Sequence, residues 1–116
     1  MLSAAPPPAI VCERPWVIDG DTISCRNLPA RVRIVGIDAP ELPGHCNPGR
    51  RCTPGNGGAA KRALIAMVRG GRVTLRPQGR DAYGRLLARV SVNGVDVSCR
   101  MVALGHAVYR YAPIRC

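Results

Sequence analysis

Arg31-Val32-Arg33-Ile34-Val35-Gly36-Ile37-Asp38-Ala39-Pro40-Glu41 is the stretch on which the fold turns. From Arg31 the chain alternates cationic and aliphatic side chains, so Arg31 to Ile37 reads as a β-strand. Val32 and Ile34 lie on its core face, with Arg31 and Arg33 on the other. Asp38-Ala39-Pro40 stops it, because proline has no N–H to give to a ladder. On the N-terminal side, Ile10 to Val17 and Thr22 to Arg26 are β-prone runs around Asp19-Gly20-Asp21, a tight-turn signal, and together they read as a hairpin. On the C-terminal side, Pro40 to Gly58 holds three further prolines, five glycines and no apolar period, the mark of a long loop.

Beyond that loop, Ala59 to Arg69 places Ala63, Ala66 and Met67 near one helical face with Leu64 and Val68 beside them, and Gly70-Gly71 ends the helix. Arg72 to Arg76 is a strand, Pro77 to Gly84 a turn, and Leu86 to Val92 a further strand closed by Asn93-Gly94. Ser98 caps a short helix through Leu104, stopped by Gly105. Five strands with helices after the third and fifth predict a small α+β domain. Because closure removes exposed strand edges, the expected form is a five-stranded OB-fold-like β-barrel with two helices. A chain of 116 residues holds one core and excludes a second domain. The single domain is expected over 10–116. Residues 1–9, small and proline-rich, read as a disordered leader or the remnant of a trimmed signal behind an added Met1.

Charge narrows the function. Seventeen Lys+Arg against seven Asp+Glu give a formal charge of +10, and sixteen of the cations are arginine. Arginine's planar fork grips phosphate bidentately, so nucleic acid or anionic lipid is the expected partner class. No window reaches the roughly 18 consecutive apolar residues of a membrane span, which argues against a membrane protein. In so basic a chain the placement of the acids is informative. Four of the seven fall in two short segments, as Asp19 and Asp21 and as Asp38 and Glu41.

Six cysteines, at 12, 25, 46, 52, 99 and 116, show no Cys-x-x-Cys pair, and an even count this dense points to disulfides in an oxidising compartment. A secreted or periplasmic location follows from the cysteines alone. Of 15 possible connectivities, proximity along the elements favours Cys12 with Cys25 across the hairpin, Cys46 with Cys52 in the loop, and Cys99 with Cys116. The competing reading is free buried thiols, which behave as small hydrophobes.

If hairpin tip and strand end meet, Asp19, Asp21 and Asp38 come together. Like charges that close repel unless a cation neutralises them. Oxygen-only ligands on loop ends suit a hard ion, Ca2+ better than Mg2+. Taken singly, Asp-Gly-Asp is ordinary turn chemistry and Asp38-Ala39-Pro40 an ordinary strand stop. Arg33, on the outer face of its strand, and Arg85, after Asp81-Ala82-Tyr83-Gly84, add cations beside the acids. Fixed cations with a metal match the extra negative charge that develops in phosphodiester hydrolysis.

Ile18-Asp19-Gly20-Asp21-Thr22, Arg33 to Glu41, and Asp81-Ala82-Tyr83-Gly84-Arg85 resemble the three signature segments of staphylococcal nuclease-like (thermonuclease) domains. They stand in the same order and with similar spacing over about residues 10 to 111. The resemblance implies Asp21 and Asp38 as Ca2+ ligands, with the backbone carbonyl of Ala39 and with Asp19 nearby. The family's reference member has Thr where this chain has Ala39; a main-chain ligand survives that change. Glu41 takes the place of the family's general base, Arg33 and Arg85 those of its phosphate-binding arginines, and Tyr83 and Tyr111 those of tyrosines beside the nucleotide, with Tyr109 less securely aligned. The activity so implied is sugar-nonspecific hydrolysis of DNA and RNA to 3′-phosphate and 5′-hydroxyl products, by a monomer.

Family members usually continue into a further helix, whereas this sequence stops five residues after Tyr111, as either a natural minimal version or a truncated sequence would; disulfides would offset the absence of that helix by roughly 2 to 4 kcal/mol each. Trp16 reads as a packing residue, and His45 and His106 receive no chemistry. A non-catalytic OB-fold nucleic-acid-binding module is the rival reading, disfavoured because Asp21, Asp38, Glu41, Arg33 and Arg85 are all present. A disulfide-stapled structural or inhibitory protein explains the cysteines but leaves the acids and arginines unexplained.

Overall fold

The stretch from Ile10 supplies two strands where the sequence suggests one: β1 (Ile10–Val11) and β2 (Trp16–Asp19). Arg14 at φ 45° and then Pro15 interrupt the run, since neither conformation continues a ladder. The computed structural model describes residues 8–116; of the leader expected over 1–9, residues 1–7 lie outside the described residues, and Pro8 and Ala9 are exposed. The chain continues with β3 (Thr22–Ser24), β4 (Val32–Ile34), β5 (Ile37–Asp38), α1 (Gly57–Arg69), β6 (Val73–Arg80), β7 (Leu86–Val92), β8 (Val95–Asp96), α2 (Val97–Ala103) and β9 (Val108–Tyr109).

The main sheet has the order β1-β6-β7-β4-β3-β2, with β8 on β7 and the β4–β7 pair parallel. Its two end strands, β1 and β2, are consecutive in the chain, so the sheet curls back towards its own start as a half-barrel with two helices. This is the expected OB-like α+β class, reached with more and shorter strands. The core is aliphatic: Ile23, Val32, Ile34, Leu64, Leu75, Val90 and Met101 are buried together.

Several boundaries differ from the sequence reading. The strand expected to run unbroken from Arg31 to Ile37 turns at Gly36, which sits at φ +80° with Ile114 packed where a side chain would be. Only glycine combines that backbone with that contact. The turn expected over Pro77 to Gly84 is shorter, because β6 runs on through Arg80. Pro77 is tolerated there because the register shifts between Pro77 and Gly79, and a bulge needs no N–H from proline. Helix α1 starts at Gly57, capped by Asn56, and buries Gly57, Ala60, Leu64 and Val68. The expected face is thus centred on Leu64 and Val68, with Ala63 and Met67 packed partly buried beside them and Ala66 exposed. Asp96, not Ser98, caps α2 by accepting from the Cys99 N–H, while the buried Ser98 hydroxyl donates to the Val35 carbonyl. Trp16 is exposed, against the expected packing role.

All three expected disulfides form, Cys12–Cys25, Cys46–Cys52 and Cys99–Cys116. Among the described residues no helix is long and apolar enough to cross a membrane.

Candidate active site

Gly20 brings the acids together. A Cβ there would lie 2.7 Å from the Cβ atoms of both Ala39 and Ala60, so its absence lets the β2–β3 tip nest between the end of β5 and helix α1. The neighbouring Asp21 thereby reaches Ala39, whose N–H donates to Asp21 Oδ2 at 2.9 Å, while the Thr22 hydroxyl donates to Oδ1 at 3.1 Å. Asp19 accepts from the Asp21 N–H at 3.2 Å. Its side chain also lies beside the Asp21 carboxyl.

Arg33 joins the two buried acids. Its Nη2 lies 3.3 Å from Asp21 Oδ2 and 3.2 Å from Asp38 Oδ1, and its Nη1 donates to the Ile34 carbonyl at 2.8 Å. The side chain points away from the Val32–Ile34 face, as the alternation requires, yet only 7% of the residue is exposed. Asp38 Oδ2 accepts from the Thr53 hydroxyl and stands 3.3 Å from Arg110 Nη1. Burial pushes the Asp21 carboxyl from 3.8 up to about 7, with Arg33 pulling down and Asp19 pushing further up.

Among the described residues no three Asp, Glu, His or Cys side chains gather as a ligand cage. The residues present nevertheless fit a hard divalent cation. Two buried carboxylates converge on one cationic nitrogen, and the carboxylates of Asp19, Asp21 and Asp38 outnumber the guanidiniums of Arg33 and Arg110. A site of two carboxylates completed by main-chain, solvent or substrate oxygen is the kind that phosphate substrates share.

Outside the acids a groove of about 550 Å3 takes in Arg33, Arg50, Tyr83, Arg85 and Tyr111. The turn between β6 and β7 sets Arg85 there. Asp81 Oδ1 accepts from the N–H groups of Tyr83 and Arg85, each at 2.9 Å, and Oδ2 from Arg85 Nε at 2.6 Å. Desolvation pushes the Asp81 carboxyl up, but the Arg85 N–H and side chain together with the Tyr83 N–H outweigh it and hold the group below 3.8. The Arg85 Cζ lies 5.4 Å from the Tyr83 ring centroid, and the Arg33 and Arg110 Cζ atoms lie 6.0 and 5.2 Å from that of Tyr111. Tyr83 and Tyr111 are mostly exposed.

Two expected residues stand apart from this groove. Glu41, three residues after Asp38, is half-buried on the following loop, and among the described residues it forms no ion pair. Tyr109 lines a separate hollow, with its hydroxyl 3.2 Å from Cys116 Sγ. Arg50, Thr53 and Arg110 are functional candidates that the sequence reading missed. Only Arg110 carried a signal, being an arginine between two tyrosines.

A family model described as staphylococcal nuclease homologue matches residues 31–115. Protein ParB of Escherichia coli is 39% identical over 79 residues, which cover 66% of this chain and 39% of that protein. An uncharacterized endonuclease of Haemophilus influenzae is 31% identical over 110 residues, 92% of this chain and 56% of that one. The chain therefore spans less than two thirds of the length of either relative. The match takes in Arg33, Asp38 and the elements from β4 onward, with Asp21 and β1 to β3 preceding it, and because it spans most of the chain, the chain belongs to the family of staphylococcal nuclease homologues.

Proposed function

We propose that the protein is a Ca2+-dependent nuclease that hydrolyses phosphodiester bonds of DNA and RNA without discriminating the sugar. The observation that carries the reading is the double placement of Arg33, which is paired with both buried carboxylates and also lines the open groove where Arg85, Tyr83 and Tyr111 meet. One guanidinium would thus link the carboxylates to negative charge in the groove. Asp21, Asp38 and the Ala39 carbonyl hold the ion, with Asp19 adjacent. When bound, Ca2+ supplies neutralisation and Lewis-acid polarisation of the scissile phosphate.

The chain's own groups then divide the work. Arg33 and Arg85 bind the non-bridging oxygens, whose charge grows as the transition state forms, so they stabilise it more than the ground state. Glu41 accepts a proton from the water whose oxygen attacks phosphorus. The bond from phosphorus to the 5′-oxygen breaks, that oxygen takes a proton from solvent, and a 3′-phosphate and a 5′-hydroxyl remain. Tyr83 and Tyr111 stack on flanking bases, with Tyr109 further out. Stacking and phosphate contacts carry no base code, which fits nonspecific binding. The Haemophilus relative's name as an endonuclease supports internal cutting. The three disulfides support an oxidising compartment, hence a secreted or periplasmic protein, acting as a monomer.

Incubating the oxidised protein with plasmid and with single-stranded DNA, in Ca2+ or in chelator, tests the reading. Cleavage in Ca2+ alone is expected. Intact DNA in Ca2+ from folded protein would refute the nuclease assignment, and cutting that persists in chelator would refute the metal dependence.

A further inference from the structure

Arg110 belongs to none of the three motifs, yet it touches the centre of the site. Its backbone is fixed, with the N–H donating to the Gly36 carbonyl at 3.0 Å just beyond the β5–β9 pairing. Its side chain is less confined, 28% exposed against 9% for that of Arg33. Three donors converge on Asp38: Arg33 on Oδ1, and Thr53 and Arg110 on Oδ2. Arg33 and Thr53 are buried, and Arg33 is also held by Asp21 and the Ile34 carbonyl. Of the three, Arg110 is released most cheaply, because its guanidinium regains water on leaving. Its Cζ stands 5.2 Å over the Tyr111 ring, which also faces the groove. On its other side Arg110 shares a hollow with Arg51.

The geometry points to Arg110 as an exchanging counter-ion. It holds Asp38 Oδ2 until a divalent cation takes that carboxylate, then swings across the Tyr111 ring to a phosphate of the polynucleotide leaving the groove. This rests on the metal-dependent nuclease reading. Two effects of opposite sign follow. As a positive charge on a metal ligand, Arg110 weakens cation binding. As a released guanidinium, it strengthens polynucleotide binding. A purely structural residue would weaken both when removed.

The test uses the full oxidised chain and the variants Arg110→Met, which keeps the apolar stem, and Arg110→Lys, which keeps charge without the fork. Ca2+ alone is titrated into metal-free protein by calorimetry. A labelled oligodeoxynucleotide with a non-hydrolysable backbone is then titrated in saturating Ca2+ at several salt concentrations. Arg110→Met is expected to bind Ca2+ about five- to tenfold more tightly. It is expected to bind the oligonucleotide more weakly, with the salt slope reduced by about one. Arg110→Lys should lie between it and the wild type in both titrations, and it carries the comparison if the Met variant melts before assay. Unchanged or weaker Ca2+ binding, or an unchanged salt slope, overturns the inference. If the wild type itself binds no Ca2+, the metal reading beneath it falls too, so the two failures are distinguishable.

Discussion

Asp38 shows what a single residue must satisfy here. Both of its oxygens are engaged, by Arg33, Thr53 and Arg110, and it is 5% exposed. A carboxylate that buried is retained only where neighbours or a ligand compensate its desolvation. Glu41 and Arg85 are placed differently, each half-buried. Changing Glu41→Gln is expected to lower turnover by about two to four orders of magnitude with little change in substrate affinity. Arg85→Ala should act in the same direction if its contact tightens in the transition state, and steady-state kinetics separate kcat from KM in both. A loss confined to KM would contradict these roles. Asp21, Asp38, Arg33 and Arg85 were legible in the sequence because each sits in a motif of fixed spacing. Thr53 was not, since nothing local in a proline- and glycine-rich loop says which hydroxyl will face an acid fifteen residues away.

At the scale of elements, the site depends on how closely the β2–β3 tip approaches helix α1 and the end of β5. Gly20→Ala forces a Cβ to within 2.7 Å of two others, and overpacking of that kind costs about 1–3 kcal/mol. Thermal unfolding should register a drop of about 5 °C or more, with activity falling alongside because Asp21 moves from Ala39. An unaltered midpoint would show that the tip is not tightly seated. The β6–β7 turn gives a pH signature. Because Asp81 is held below its ordinary 3.8 in the folded chain, its contribution to stability is present above that value and is lost as pH falls through the lower folded one. The difference in melting temperature between wild type and Asp81→Asn should be largest near neutrality and close below about pH 4. A difference independent of pH would mean that Asp81 does not anchor the turn through its charge. The existence of most elements was readable from periodicity, whereas their ends were not. Gly36 and Pro77 take their roles from partners distant in the sequence, Ile114 and the bulge against β7, and a local pattern carries no record of such partners.

For the whole molecule, the +10 charge acts as a field that draws in polyanions and weakens with salt. The proposed chemistry lies where the few acids interrupt it. The curling of the sheet was foreseeable from five strand runs, although no pattern revealed that the stretch read as one run, Ile10 to Val17, would feed the strands at both ends of the sheet. The central claim is that the acid pair on Arg33 supports phosphodiester hydrolysis. Its most direct test is single-turnover cleavage of an end-labelled single-stranded oligodeoxynucleotide in saturating Ca2+, comparing wild type with Asp38→Asn and mapping the new ends. The account predicts fragments ending in 3′-phosphate from the wild type and a rate at least about a hundredfold lower from the variant. Equal rates from a folded Asp38→Asn protein, or fragments bearing 5′-phosphate, would contradict it.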